Sequence, residues 1–153
     1  MLEAGDICPN FSLPTDSGAF SLEEHSGKNV VVFFFPRADT SGCTKEAVAF
    51  SELLAGFEAA NSVVIGISKD IPQKMAKFRD KHDLTCLLGS DETSGVCEQF
   101  GVWVEKSMYG KKYMGIQRAT FLIDPNGKIT HVWPKVKVAG HAEDVLSHLQ
   151  AGG

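Results

Sequence analysis

The residues best suited to covalent chemistry in this sequence are its four cysteines, Cys8, Cys43, Cys86 and Cys97. They are widely and irregularly spaced. None forms a C-x-x-C pair, so the sequence contains neither a zinc-ligand pattern nor a dithiol of the thioredoxin kind. A cysteine acts as a nucleophile through its thiolate, which helix N-termini and nearby cations favour. Cys43 falls where such surroundings are expected. An apolar run ends at Pro36, the polar loop RADTSG follows, and a helical pattern begins near Ser41. Thr40 or Ser41 can cap that helix. Cys43 then sits in the first turn, facing unpaired N–H groups and the positive end of the dipole.

The elements that must hold Cys43 in place follow from periodicity. Residues 10–13 and 19–22 flank Pro14, Asp16 and Gly18 and predict an N-terminal hairpin. Residues 29–35 (NVVVFFF) form a continuous apolar, β-branched and aromatic run, as expected of a central strand covered on both faces. Residues 41–61 repeat Ala47, Phe50, Leu54 and Phe57 at helical steps. A buried strand is predicted at 62–68 and a helix at 71–82, with Pro72 in its first turn. A short strand at 85–88 and a short helix at 92–100 come next, then an irregular stretch. Residues 120–124 and 128–133 make a second hairpin around Pro125-Asn126-Gly127. Residues 140–150 close the chain as a helix with Ala142, Val145, Leu146 and Leu149 on one face. Alternating βα units followed by an antiparallel hairpin predict an α/β fold, a central mixed sheet flanked by helices. A thioredoxin-like arrangement over a single domain, residues 1–153, fits that order.

Composition narrows the function classes. The 153 residues suffice for one domain with its own core, and 43% hydrophobic against 22% charged is the balance of a soluble globular chain. The longest apolar run, 30–35, is far short of the roughly 18 residues of a membrane span. The opening MLEAGDICPN has no basic or apolar leader pattern, so the cytoplasm is the expected compartment, where cysteines stay mostly reduced. A net charge of -4 argues against nucleic acid as a partner. Lys106, Lys111 and Lys112 read as a solvated loop. His25, His82, His131, His141 and His148 are scattered among polar neighbours and read as solvent-facing, with no metal role. Trp103 and Trp133 are expected to cover sheet edges or line the approach to the site, with Tyr109 and Tyr113 at its rim.

The segment FFFPRADTSGCTKEA resembles the active-site segment of the peroxiredoxins, with the P-x-x-x-T-x-x-C core present as Pro36, Thr40 and Cys43. GVWVEKSMYGKKYMGIQRATFLIDPNGKI and GDICPNFSLPTDSG are similar to the PrxQ, or bacterioferritin comigratory protein, branch. The resemblance covers nearly the whole chain. It implies that Cys43 is the peroxidatic cysteine, that Thr40 hydrogen-bonds the sulfur and the peroxide, and that Pro36 shields the sulfur. It also implies that Arg118 stabilises the thiolate and orients the peroxide. Attack on an O–O bond develops negative charge on the departing oxygen, which a guanidinium and N–H donors stabilise. The implied substrate is hydrogen peroxide or an alkyl hydroperoxide, without a cofactor. The implied reductant is thioredoxin, glutaredoxin or glutathione, and the implied assembly a monomer or small homodimer.

The chain departs from the branch in its second cysteine. Many PrxQ-type proteins carry a resolving cysteine five residues after the first, where this chain has Val48. Another group places it in the following helix, at Arg79 or a neighbour here. Cys86 in TCLLG and Cys97 beside Val96 and Phe100 read as core residues, and Cys8 before Pro9 is no better placed. The leading expectation is a one-cysteine cycle in which an external thiol reduces the Cys43 sulfenic acid. An atypical two-cysteine cycle through Cys86 or Cys97 and a redox sensor using Cys43 are the alternatives. An inactive scaffold is disfavoured by the joint presence of Pro36, Thr40, Cys43 and Arg118.

Overall fold

Strand β3 (Asn29–Phe34) organises the molecule, and its sequence explains how. In the computed structural model, which describes residues 1–152, successive side chains of this run point to opposite faces of a sheet. Val31, Phe33 and Phe35 join one apolar cluster, while Val30, Val32 and Phe34 join the other. A strand buried on both faces has no room for polar alternation, hence the continuous apolar run.

β3 pairs in parallel with β4 (Ser62–Ser68), and β4 in parallel with β5 (Leu87–Ser90). On its other edge β3 pairs antiparallel with β8 (Ala119–Ile123), which pairs antiparallel with β9 (Ile129–Trp133). The N-terminal hairpin, β1 (Ser12–Thr15) and β2 (Gly18–Ser21), joins β5 through Thr15 and Gly89. The result is a mixed seven-stranded sheet of order β2-β1-β5-β4-β3-β8-β9.

Helices α1 (Ser41–Glu52), α2 (Leu54–Ala59), α3 (Pro72–His82) and α5 (His141–Gln150) cover the face that carries Phe33 and Phe35. They contribute Ala47, Phe50, Phe57, Met75, Phe78 and Val145 to that core. The opposite face is covered by α4 (Val96–Phe100) and the N-terminal segment, with Phe11 and Phe20 beside Phe34, Phe100 and Phe121. Burying rings of this size supplies roughly 1.5–3 kcal/mol each, and their edge and offset contacts add to it.

Four sequence expectations are corrected. The helix expected over 41–61 is two helices, broken at Leu53; the turn brings Gly56 against Leu146 of α5 so closely that an added Cβ would stand 2.9 Å from a leucine methyl. The strand expected at 85–88 begins only at Leu87, because the N–H groups of Thr85 and Cys86 go to Ser51 Oγ at 3.0 and 3.3 Å. The helix expected over 92–100 begins at Val96, where the buried Asp91 carboxylate accepts from the N–H groups of Val96 and Cys97 at 3.0 and 2.7 Å.

The irregular stretch after Phe100, with its supposed lysine loop, is a hairpin of β6 (Trp103–Met108) and β7 (Lys111–Ile116). Its tip is Tyr109-Gly110 with φ of 51° and 78°, the backbone of a type I′ turn. Tyrosine rarely takes that conformation, and the strands are mostly exposed, so neither turn residues nor alternation marked the hairpin.

Candidate active site

Cys43 lies in the first turn of α1, directly after the loop that leaves β3. The first helical bond is from Thr44 N–H to the Thr40 carbonyl at 2.8 Å, so the earlier N–H groups of the turn have no partner within the helix. No side chain caps this end. The Thr40 hydroxyl, expected to cap, instead donates to the Arg37 carbonyl at 2.9 Å and tightens the loop. The loop is clamped at two further points. Ala38 N–H donates to Asp70 Oδ2 at 2.8 Å, and the Asp39 carboxylate meets Lys81 at 2.9 Å and His82 at 2.8 Å on α3.

Arg118 arrives from the other side of β3. Phe34 pairs with Ala119, so the residue before Ala119 stands at the end of β3 from which the Cys43 loop departs. The Arg118 side chain is 18% exposed; it places Nη2 3.2 Å from Cys43 Sγ and donates through Nη1 to Glu46 Oε1 at 2.7 Å. Gly42 leaves room for this approach, since a Cβ there would come 3.3 Å from Nη2. Burial works against the guanidinium's charge, yet the facing Cys43 and Glu46 hold its pKa above the ordinary value.

Glu46 is the residue sequence reading missed. It is one helical step from Cys43, its side chain is fully buried, and its Oε2 has no hydrogen-bond partner. Burial pushes its pKa up to about 7 in spite of Arg118. The spacing C-x-x-E in the first turns of a helix was the available signal, but only burial distinguishes this glutamate from a solvated one.

Cys43, itself 1% exposed, lies at the floor of a cleft of about 730 Å³. Pro36 and Thr40 line it with Cys43 and Arg118, so all four residues singled out in the sequence meet at one place. Trp103, Tyr113 and Met114 form an apolar wall, and Lys106 lines it as well. Lys106 is thus no loop lysine. It is half-buried, donates to the Ile116 carbonyl, and has its pKa lowered by burial and by Arg118.

The histidines also differ from expectation. His141 is 6% exposed, shares a 2.8 Å hydrogen bond with Thr120 Oγ1, and has its pKa lowered to about 4 by burial. Apolar partners claim others: His25 stacks on Phe20, and His131 and His148 pack against Trp133. Among the described residues no group of three or more His, Cys, Asp or Glu is placed to hold a metal ion.

The other cysteines are buried and unbridged. Burial raises the pKa of Cys8 to about 12 and pushes those of Cys86 and Cys97 up as well. Cys97 and Cys8 belong to the cluster on the face of the sheet opposite Cys43. Cys86 shares the face of Cys43, but its sulfur lies 3.5 Å from Ser51 Oγ near the far end of α1.

The family model described as AhpC/TSA family matches residues 4–132. The chain belongs to that family. Within it, this peroxiredoxin is similar to a Coxiella burnetii relative, 48% identical over 97% of this chain and 99% of that one. It is 46% identical to peroxiredoxin Bcp of Escherichia coli, over 97% of this chain and 96% of that one. It also superposes on a solved structure of Xanthomonas campestris bacterioferritin comigratory protein with a TM-score of 0.87 and 39% identity, covering 92% of this chain and 90% of that one. The family is one of thiol-dependent peroxidases, and the thioredoxin fold is the one expected from the order of elements. Among the described residues, no helix is long and apolar enough to cross a membrane.

Proposed function

We propose that the protein reduces hydrogen peroxide and alkyl hydroperoxides in a one-cysteine cycle that starts at Cys43. The observation that carries this reading is the 3.2 Å approach of Arg118 Nη2 to Cys43 Sγ at the floor of a cleft. The guanidinium favours the thiolate and stands ready for the negative charge that develops as an O–O bond opens. The thiolate attacks one peroxide oxygen, the O–O bond breaks, and the departing oxygen leaves as water or alcohol once protonated. Cys43 is left as sulfenic acid. Thr40 Oγ1 donates to Arg37, which leaves its lone pairs to accept the peroxide O–H, and the Pro36 ring walls the sulfur from water. Glu46 acts as a positioning residue that fixes the guanidinium plane. The alkyl peroxide reduction for which the Xanthomonas campestris protein is described fits the same substrate class.

Geometry supports resolution by an external thiol. Cys97 is separated from Cys43 by the sheet. Cys86 lies beside Ser51, and the rise of a helix puts Ser51 about 12 Å along α1 from Cys43, whereas a disulfide needs Cα atoms within about 7 Å. Arg79 is fixed by Asp16, at 2.5 and 3.1 Å, and by the Leu84 carbonyl at 2.6 Å. With four free thiols, the chain suits a reducing compartment such as the cytoplasm.

Steady-state peroxide consumption with thioredoxin, glutaredoxin and glutathione in turn tests the reading. Multiple turnover with at least one is expected. A single stoichiometric oxidation of Cys43 with no turnover under any of the three would assign the cysteine to sensing instead.

A further inference from the structure

The charges around the Cys43 cleft are lopsided for a chain with net charge -4. Five cationic side chains line it and a single carboxylate, Asp70, which is already occupied by Ala38 N–H and the Ser68 hydroxyl. Of the cations, Lys69 is paired with Glu98 and Asp91, and Arg118 with Glu46. Arg37, Lys74 and Lys106 have no carboxylate partner among the described residues.

Lys106 is built into this position. Its stem lies across Gly115 on the neighbouring strand, where a Cβ would come 3.2 Å from its Cδ, and its ammonium is turned to the Ile116 carbonyl, inside the cleft. A half-buried ammonium that has lost water without gaining a counter-ion is a site for an anion.

The cleft also restricts which thiol can reach the sulfur. Cys43 is 1% exposed, and its loop is held at Asp39 and Ala38. A peptide-sized thiol fits within about 730 Å³, whereas a folded protein has to bring its cysteine down to a sulfur that is 1% exposed.

We propose, resting on the one-cysteine reading above, that this cleft binds a small carboxylate-bearing thiol, with Lys106, Arg37 and Lys74 receiving its carboxylates. Its thiolate attacks the sulfur of Cys43–SOH, the S–S bond forms as the S–O bond breaks, and the hydroxide leaves with one proton as water. A second molecule of the thiol attacks the outer sulfur of the mixed disulfide, releasing the small disulfide and the Cys43 thiolate. Two small thiols are oxidised and Cys43 is reduced.

The test separates the two half-reactions. Cys43 is oxidised with one equivalent of hydrogen peroxide, and the sulfenic acid is then mixed in stopped flow with glutathione or with glutathione diethyl ester. These share a thiol and differ in their carboxylates. Glutathione is expected to react about tenfold faster than the ester at low salt, the advantage shrinking as salt rises. Lys106→Met should bring that ratio towards one. Lys74→Gln, at an exposed helix position, should lower it too and provides a second measurement if Lys106→Met folds poorly. Lys128→Met, the same loss of charge on a remote turn, should preserve the ratio. Equal rates for acid and ester, an unchanged ratio in both cleft variants, or reduction by thioredoxin alone would each overturn the proposal. So would charge selectivity confined to the first half-reaction, when a carboxylate-bearing hydroperoxide is compared with its ester. A chain that forms no sulfenic acid at all overturns the peroxidase reading and this inference together.

Discussion

Arg118 Nη2 lies 3.2 Å from Cys43 Sγ across 75 residues of sequence, and its Nη1 lies 2.7 Å from Glu46 Oε1. One planar cation therefore serves the sulfur and the buried carboxylate at once, which a lysine ammonium, with its single point charge, does not reproduce. Arg118→Lys is expected to lower the second-order rate constant for Cys43 oxidation by about 10²-fold, the scale of losing a preorganised donor. Stopped-flow oxidation by hydrogen peroxide measures this; a loss of under threefold would contradict a direct role for the guanidinium.

Cys43→Ser should abolish peroxide consumption, while Cys86→Ser and Cys97→Ser retain it. After one equivalent of peroxide, non-reducing mass spectrometry should show a monomer carrying one added oxygen or its thiol adduct. An internal disulfide from Cys43 to Cys86 or Cys97 would refute the one-cysteine cycle.

Val48 stands where some relatives of this branch place a second thiol, and here it packs against the helical core. On the one-cysteine cycle proposed above, α1 need not unwind during turnover. Hydrogen exchange on the oxidised protein should therefore leave residues 44–50 as protected as in the reduced one. Loss of protection across that span would show that the helix opens regardless.

Stability should respond to pH through two buried groups of opposite sign. Glu46 has its pKa raised from 4.5 to about 7, so the folded state holds a proton that the unfolded state releases between those values. Its contribution grows as pH falls from 7 towards 4.5 and is lost as pH rises through 7. His141 has its pKa lowered from 6.5 to about 4, so the unfolded state is protonated first and stability falls across that range. At full extent each effect is on the order of 3 kcal/mol. In Glu46→Gln the first is removed, leaving a decline from pH 6.5 to 4 and a gain in stability above pH 7. Urea denaturation at pH 8, 6 and 4.5 would show it, and an unchanged profile would sink the assignment.

Asp16, with a side chain 5% exposed, depends on Arg79 for its counter-charge. Arg79→Ala leaves that carboxylate buried and unpaired and should cost about 3 kcal/mol. Thermal and urea unfolding measure it, and Asp16→Asn in the same background should recover part of the loss. Absence of any recovery would mean that packing of the arginine stem, rather than charge, accounts for the cost.

The strands and most helices were legible because burial imposes patterns that survive in one dimension. The run of residues 29–35 declares a strand covered on both faces, and the Thr40–Cys43 loop declares a strand-to-helix junction. The resemblance carried by Pro36, Thr40, Cys43 and Arg118 then pointed to peroxide chemistry. The β6–β7 hairpin escaped because its strands are exposed and its turn uses Tyr109 where Asn is usual. His141 and Glu46 escaped because burial of a polar residue belongs to the assembled core; local spacing does not encode it.

Cys43 itself was marked by sequence, since a polar first turn after an apolar strand is a local arrangement. What only the tertiary structure decided is the company it keeps. The antiparallel pairing of Phe34 with Ala119 brings Arg118 to the sulfur, and the sheet sets Cys97 on the far side from it. Contacts between residues 75 positions apart depend on strand register, and register is fixed by the packing of both sheet faces together.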